Sequence, residues 1–365
     1  MPLDLTALRR WPDLEGPDLA AADAADRLIL DESASARTGA DAGTLVVIGD
    51  GYGALTLSAA AEGATGIRVH QDALAGERAL AANAARLDLG GFTSHPLDAD
   101  LVSGARVVLL RLPRSLEQLR DIAGLVAAHA ASDVVVFAGG RLKHMTVAMN
   151  DVLRENFARV DVSHARQKSR VLLARGPHDG RDPAPARAQH DGLVVCAFGG
   201  AFAGTAIDIG TRFLLAHLPD PGPEAIDLAC GTGVVATTLA LRHPHVRVRA
   251  CDQSAVAVAS ARATVAANGV ADRVEVVRDD ILGSHPDASA RFIALNPPFH
   301  VGAAVTASIA PRMFADAARV LAPGGELWTV WNSGLRYRPA LERLVGPTRQ
   351  IARNAKFTVT VSVRR

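Results

Sequence analysis

Cysteine is nearly absent from this chain. Cys196, Cys230 and Cys251 are too few and too scattered for a disulfide framework or a metal cluster, and they fit buried thiols in a reducing cytosol. Lysine is also scarce: arginine supplies 36 of the 39 basic residues, a bias that points to genome composition. No run of about 18 apolar residues occurs, which argues against a membrane span. The N-terminus, Met1-Pro2-Leu3-Asp4-Leu5, has neither a basic stretch nor a long apolar one, so no signal peptide is expected. Phosphate-binding Gly-Lys-Ser or Gly-Lys-Thr is missing too. What is present is enough for a large core: 49% of residues are hydrophobic and 21% charged, which argues against global disorder.

A length of 365 residues suggests two domains. The net charge of +1 hides an asymmetry. Residues 191–365 carry 18 basic and 14 acidic side chains, whereas residues 1–190 sum to −3. The basic excess concentrates in residues 312–365, with 10 basic against 3 acidic side chains, a modest pointer to a polyanionic partner.

Along the chain, short apolar runs alternate with amphipathic stretches. Strands are expected at 44–48, 67–70, 106–110 and 133–138, with helices at 18–36, 54–62, 73–87 and 115–131 between them. Gly176 to Asp191 holds three prolines and little that is apolar, and reads as a linker. The theme then repeats, with strands at 225–228, 246–251, 274–278, 291–295, 326–330 and 357–363. The expected organisation is a first domain over 1–175, a linker over 176–191 and a second domain over 192–365. Such alternation argues for parallel α/β sheets. The two halves are an internal repeat of long period. Gly51-Tyr52-Gly53 matches Gly231-Thr232-Gly233 in context, and Leu80-Ala81-Ala82-Asn83 resembles Val265-Ala266-Ala267-Asn268.

The chemistry-bearing residues lie at expected strand ends in the second half. Asp227-Leu228-Ala229-Cys230-Gly231-Thr232-Gly233 joins a strand to a helix, a turn that lets a ligand approach a helix N-terminus. A dinucleotide fingerprint would want a third glycine where Ala236 stands. Asp252 ends the next strand and can accept both hydroxyls of a ribose. Asp280 ends the third and could receive an adenine amino group. Leu295-Asn296-Pro297-Pro298-Phe299-His300 follows the fourth. Two prolines hold the chain extended and carry no backbone N–H, so carbonyls are left without matching donors. With the Asn296 amide and the Phe299 ring, this is an acceptor cradle beside a stacking face, suited to a planar group bearing an NH2. Taken alone, it reads equally as a tight turn after a strand. The ordered set of glycine turn, Asp252, Asp280 and Asn-Pro-Pro-Phe is the stronger signal, because open α/β sheets bind ligands at those strand ends.

The second half resembles class I S-adenosylmethionine-dependent methyltransferases that act on amino groups, and its Asn-Pro-Pro-Phe is similar to their catalytic motif. More narrowly, the whole chain resembles the tandem-domain ribosomal-RNA guanine-N2 methyltransferases. The matching stretches are Phe202 to Gly210, Asn296 to His300, Asn332 with Leu335-Arg336-Tyr337, and Ala352 to Phe357. In the first half, Gly49 to Leu55, Leu112-Pro113-Arg114-Ser115-Leu116 and Lys168-Ser169-Arg170-Val171 look most like the large-subunit member.

The resemblance implies two Rossmann-like domains, each a mostly parallel twisted sheet with helices on both faces. It also implies S-adenosylmethionine as cofactor and no metal. Asp227, Gly231 and Gly233 would meet the methionine part, Asp252 the ribose and Asp280 the adenine. Asp208 would help close the cofactor pocket. Asn296 and the Pro297 carbonyl would accept hydrogen bonds from the guanine N2 amino group, and Phe299 would stack on the base. His300 and Lys356 are candidate substrate contacts. The partner would be ribosomal RNA or a ribosomal subunit, met in the cytoplasm by a monomer.

In the first half, Val47 stands where Asp227 does, and Arg111-Leu112-Pro113-Arg114 replaces the Asn-Pro-Pro stretch. That domain is expected to be catalytically dead, serving RNA docking or folding support. Its glycines and Asp72 leave residual cofactor binding open. Two other functions fit the motifs. One is methylation of adenine N6, cytosine N4 or protein glutamine; the other is an RNA-binding pseudo-enzyme.

Overall fold

The computed structural model describes residues 3–298 and 303–365. The chain divides into two compact units. The first comprises residues up to Ala184 together with Phe198–Gly200; the second comprises Pro185–Ala197 and Ala201–Arg365.

The first unit contains α1 (Ala24–Thr38), β1 (Leu45–Ile48), α2 (Ala54–Ala61), β2 (Ile67–His70), α3 (Leu74–Leu87), β3 (Phe92–Ser94), α4 (Ala99–Val102), β4 (Val107–Arg111), α5 (Leu116–His129), β5 (Val135–Arg141), α6 (Ala148–Arg154), β6 (Phe157–Val162) and β7 (Ser169–Pro177). The second contains a hairpin of β8 (Ala186–His190) and β9 (Leu193–Ala197), then α7 (Ile209–Leu215), β10 (Glu224–Leu228), α8 (Val234–Arg242), β11 (Arg247–Asp252), α9 (Ala255–Ala267), β12 (Val274–Arg278), β13 (Ala290–Leu295), α10 (Ala303–Val320), β14 (Leu321–Asn332), α11 (Arg338–Leu344), β15 (Thr348–Arg353) and β16 (Phe357–Val363).

Each unit holds a seven-stranded sheet, and the two sheets have the same order. The first runs β3-β2-β1-β4-β5-β7-β6 and the second β12-β11-β10-β13-β14-β16-β15. Five strands of each are parallel, and the last two close the edge antiparallel. The order reverses between β1 and β4, and again between β10 and β13. Such a switch point opens a crevice at the strand C-termini.

Burial follows the strand period of two. Leu45 and Val47 enter the core under α1, α2 and α3, whereas Val46 and Ile48 enter the one under α4, α5 and α6. In the second unit Ile226 and Leu228 face α10 and α11, and Ala225 faces the α8 and α9 side. Several helices start where the sequence supplies a cap. Asp23 and Asp26 form a capping box on α1, Ser115 caps α5 and Ser254 caps α9. The helices α2 and α8 start instead from left-handed glycines, Gly53 (φ +96°) and Gly233 (φ +77°).

Three expectations change. Part of the 176–191 stretch is ordered strand: β7 runs to Pro177, and β8 covers 186–190. Its small and polar residues gave no hydrophobic signal; among the described residues β8 pairs only with β9. The first helix starts at Ala24, six residues later than expected, where the capping box can form. The similarity of 80–83 to 265–268 is not the alignment the sheets impose. Ile48 lies opposite His70 as Leu228 lies opposite Cys251, which makes Asn83 the counterpart of Thr264. All three residues do one job, binding the N–H and the carbonyl of a single neighbouring residue: Asn83 at Arg9, Thr264 at Cys196 and Asn268 at Val194.

Candidate active site

The candidate site lies at the C-terminal ends of β10, β11 and β13. At the end of β10 the chain turns through Ala229 (φ +58°) and Gly231 (φ +54°) before α8. A Cβ on Gly231 would meet nothing within 4 Å, so this face of the turn is open. At Gly233 a Cβ would lie 3.0 Å from the Ala261 Cβ, so close helix packing as well as the left-handed backbone demands glycine there.

Asp227 sits beneath this turn. Its side chain is 2% exposed, and Oδ2 accepts from the Ala236 N–H at 2.9 Å. Burial pushes its carboxyl up to about 7. It therefore braces the first turn of α8 from inside, whereas the sequence pointed it toward the methionine part of a ligand. Asp252 is half-buried at the end of β11. Its Oδ2 accepts from the Gly231 N–H at 3.0 Å, which ties the glycine turn to the neighbouring strand, and its Oδ1 accepts from the Ser254 N–H at 3.0 Å. Asp280 is half-buried two residues beyond β12. Its neighbour Asp279 is buried and accepts from the Ser284 N–H and hydroxyl at 2.9 and 2.7 Å.

Asn296, just beyond β13, is held by two partners. Its Nδ2 donates to Asp208 Oδ2 at 3.2 Å and to Thr211 Oγ1 at 2.9 Å. Both partners belong to the start of α7, where Asp208 is the N-cap and accepts from the Thr211 N–H at 3.1 Å. This assigns the amide orientation from its network and leaves Oδ1 buried without a partner. A buried, unpaired acceptor is costly, so one at a strand end marks a place where a donor belongs. Asp208 thus stands at the acceptor, and Thr211 is a site residue the sequence reading missed. The signal available was the Asp-x-x-Thr spacing of a helix cap, which is common enough to pass unremarked.

Phe299 and His300 lie outside the described residues. Lys356 is exposed between β15 and β16, where its carbonyl accepts from the Ser333 N–H at 2.8 Å. That places it just past β14, along the same edge of the sheet as Asn296. Trp328 and Trp331 are buried, in agreement with the core role expected for them. Burial pushes the Cys230 and Cys251 thiols up, which removes thiolate chemistry from the turn. Among the described residues no group of three or more His, Cys, Asp or Glu could hold a metal ion.

The fold, the glycine turn and the acceptor at the fourth strand define a methyltransferase of the class I type. The family model described as "Methyltransferase small domain" matches residues 192–361, and the one described as "RLMG N-terminal domain" matches residues 2–178. The chain is 35% identical to the ribosomal RNA large subunit methyltransferase G of Streptomyces avermitilis, over 98% of this chain and 97% of that protein. To the protein of the same name from Shewanella amazonensis it is 34% identical, over 98% and 96%. The chain belongs to the ribosomal RNA large subunit methyltransferase G family. The fold also matches a T. thermophilus 16S rRNA N2 methyltransferase solved with AdoMet and guanosine, at a TM-score of 0.77 and 21% identity, covering 94% of this chain and 92% of that one.

Proposed function

We infer that this chain transfers a methyl group from S-adenosylmethionine to the exocyclic N2 amino group of a guanine in ribosomal RNA, and that the second unit performs the transfer. The observation that carries this reading is the Asn296 amide, whose nitrogen is engaged by Asp208 and Thr211 and whose Oδ1 has no partner. Family membership favours ribosomal RNA over DNA bases or protein glutamine.

The residues at the strand ends fit the cofactor. The open face of Gly231 would admit close approach. Asp252, half-buried at the end of β11, would accept the ribose hydroxyls, and Asp280, half-buried beyond β12, would receive the adenine amino group. When bound, S-adenosylmethionine supplies a methyl group on a positively charged sulfur. The chain's own task is to present the amine. The guanine amino lone pair is delocalised into the ring and is a weak nucleophile. Asn296 Oδ1 and the Pro297 carbonyl accept its two N–H bonds, orient the nitrogen and favour a pyramidal geometry during attack. Asp208 and Thr211 keep the Asn296 amide from flipping its donor toward the base. This is catalysis by positioning and electrostatics, with no strong base required. A guanine inside a duplex cannot reach such a pocket, so the target is unpaired or flipped out.

Phe299 as the stacking ring, and His300 and Lys356 as substrate contacts, complete the proposal, as does a monomer acting in the cytoplasm on naked rRNA or on a subunit. The first unit is proposed to be non-catalytic. The test is mass spectrometry of rRNA nucleosides from a strain lacking the protein. One site should lose N2-methylguanosine, and unchanged N2-methylguanosine at every site overturns the reading.

A further inference from the structure

A cavity of about 500 Å³ opens in the second unit at the N-terminal ends of β10 to β13, the opposite end of the sheet from Asp252 and Asn296. Strand parity explains its lining. The sheet face that carries Ile226, Leu228, Cys251, Ile293 and Leu295 packs under α10. By the strand period of two, Glu224, Arg247, Arg249, Glu275 and Arg291 belong to the same face. Arg249 lies opposite both Ile226 and Glu275. This face is therefore apolar toward the strand C-termini and charged toward the N-termini. The charged half is walled by residues 279–289, which join β12 to β13 without forming a helix.

That wall is built, not loose. Arg319 of α10 donates to the Leu282 and His285 carbonyls at 2.8 and 2.9 Å and to Asp287 at 2.6 Å. The Ala288 and Ser289 N–H groups bind the Arg319 and Val320 carbonyls. The wall brings His285 to the cavity, only 6% exposed. Neither of its ring nitrogens has a hydrogen-bond partner, and the Asp279 carboxylate stands 3.7 Å away. Burial, and then the Arg249 charge, hold His285 below the usual histidine range, so the ring is neutral and keeps one N–H to give. Arg249 Nε is also buried without a hydrogen bond, 3.5 Å from Glu275. Asp272 faces Arg273 at 3.8 Å. Arg247 and Arg291 have no carboxylate within 4 Å among the described residues, and Glu224 is the one acid of the lining left to balance them. Donors are in excess here, and two of them are buried without partners, which is costly unless a ligand supplies acceptors.

From this geometry we propose that the cavity binds a small organic phosphate, with the phosphate group held by Arg247, Arg249 and the His285 N–H and a hydroxyl held by Glu224. Arg247 and Arg249 stand two residues apart on one face of β11, about 7 Å along the strand. Both guanidinium groups can therefore reach one phosphate, whose oxygens they match in pairs. The volume exceeds what a bare phosphate fills and suits a sugar phosphate or a nucleoside monophosphate. The site shares no residue with the strand ends at Asp252 and Asn296, so it stands apart from methyl transfer.

The test is calorimetric titration of the full chain with ribose 5-phosphate, in saturating S-adenosylmethionine so that the probe is kept from the other end of the sheet. One site per chain is expected, tighter than for inorganic phosphate. Arg249→Gln with His285→Gln should weaken it about 10-fold or more, as for loss of charge-assisted hydrogen bonds. Arg247→Gln alone, at an exposed position that leaves the fold intact, should give a smaller loss in the same direction. Arg343→Gln, exposed on α11 and outside the cavity, should change nothing. Adenosine monophosphate binding tighter than ribose 5-phosphate assigns the site to nucleotides, and equal affinity assigns it to sugar phosphates. No binding, affinity no greater than for inorganic phosphate, affinity unchanged in the Arg247 and Arg249 variants, or an equal loss in Arg343→Gln overturns the site.

Discussion

The two sheets share one topology, yet equivalent positions at their strand ends have opposite uses. The glycine turn is open in both units, at Gly231 and at Gly51. In the second unit Asp252, which braces that turn, stays half-exposed, and Asn296 Oδ1 is unpaired. In the first unit the counterparts of these two residues are spent on internal bonds. Gln71, and not Asp72, is the counterpart of Asp252, and its Nε2 donates to the Asp50 carbonyl. Tyr52, the counterpart of the small Thr232, donates its hydroxyl to Asp13 at 2.7 Å, and the Arg10 guanidinium lies 4.5 Å from its ring centroid. Arg111, which takes the place of Asn296, is locked to Asp23 and Asp26. Even the brace of the glycine turn has moved. Asp227 is replaced by Val47, and Asp50, at the place of Cys230, accepts from the Gly53, Leu55 and Thr56 N–H groups. Fold and site are separable: the bond that holds a helix start can be rebuilt from another residue, whereas the acceptor for a substrate cannot.

The strongest way to break this contrast is Asn296→Ala. Methyl transfer should fall about 10³-fold, as for loss of one preorganised polar group, with calorimetric S-adenosylmethionine affinity nearly intact. Surviving activity would remove Asn296 from its role.

Asp227→Asn tests the brace. The folded carboxyl titrates near 7, above its unfolded value near 4, so the folded state holds a proton the unfolded state has released. The contribution of this one group to stability is therefore full below about pH 4 and is lost as pH rises through 7. It amounts to about 4 kcal/mol at most. Asparagine cannot ionise, and urea unfolding should show that slope flattened. An unaltered slope would place the titration elsewhere.

Arg111→Ala should destabilise the first unit by about 2–3 kcal/mol, because Asp26 is left buried beside Asp23 without its cation. Chemical denaturation should show it as an earlier transition, with methyl-transfer kinetics altered far less. Thr211→Val is the mildest test. One of the two bonds orienting Asn296 goes, and kcat should drop about 10-fold, about 1.4 kcal/mol by the usual conversion, with a smaller change in S-adenosylmethionine affinity. An equal loss in both would make Thr211 merely structural.

Much of this was legible in the sequence because it rests on local chemistry. Buried parallel strands announce themselves as apolar runs, and a strand end followed by Gly-x-Gly or Asn-Pro-Pro is a short-range pattern. The antiparallel strands β6 and β15 were not legible: each is an edge strand with one fully buried residue and no alternation of burial. Asp208 and Thr211 lie 88 and 85 residues from Asn296, so no local pattern could reveal that they hold it. The inward turn of Asp227 was equally hidden, because strand parity decides it, and the same parity buries Val47.

The most direct test of two copies with one open site is the stoichiometry of S-adenosylmethionine binding to the full chain, read by titration calorimetry. One site per chain, lost in Asp252→Ala and retained in Gln71→Ala, is the predicted result. Two sites per chain, or one that survives Asp252→Ala, would contradict it.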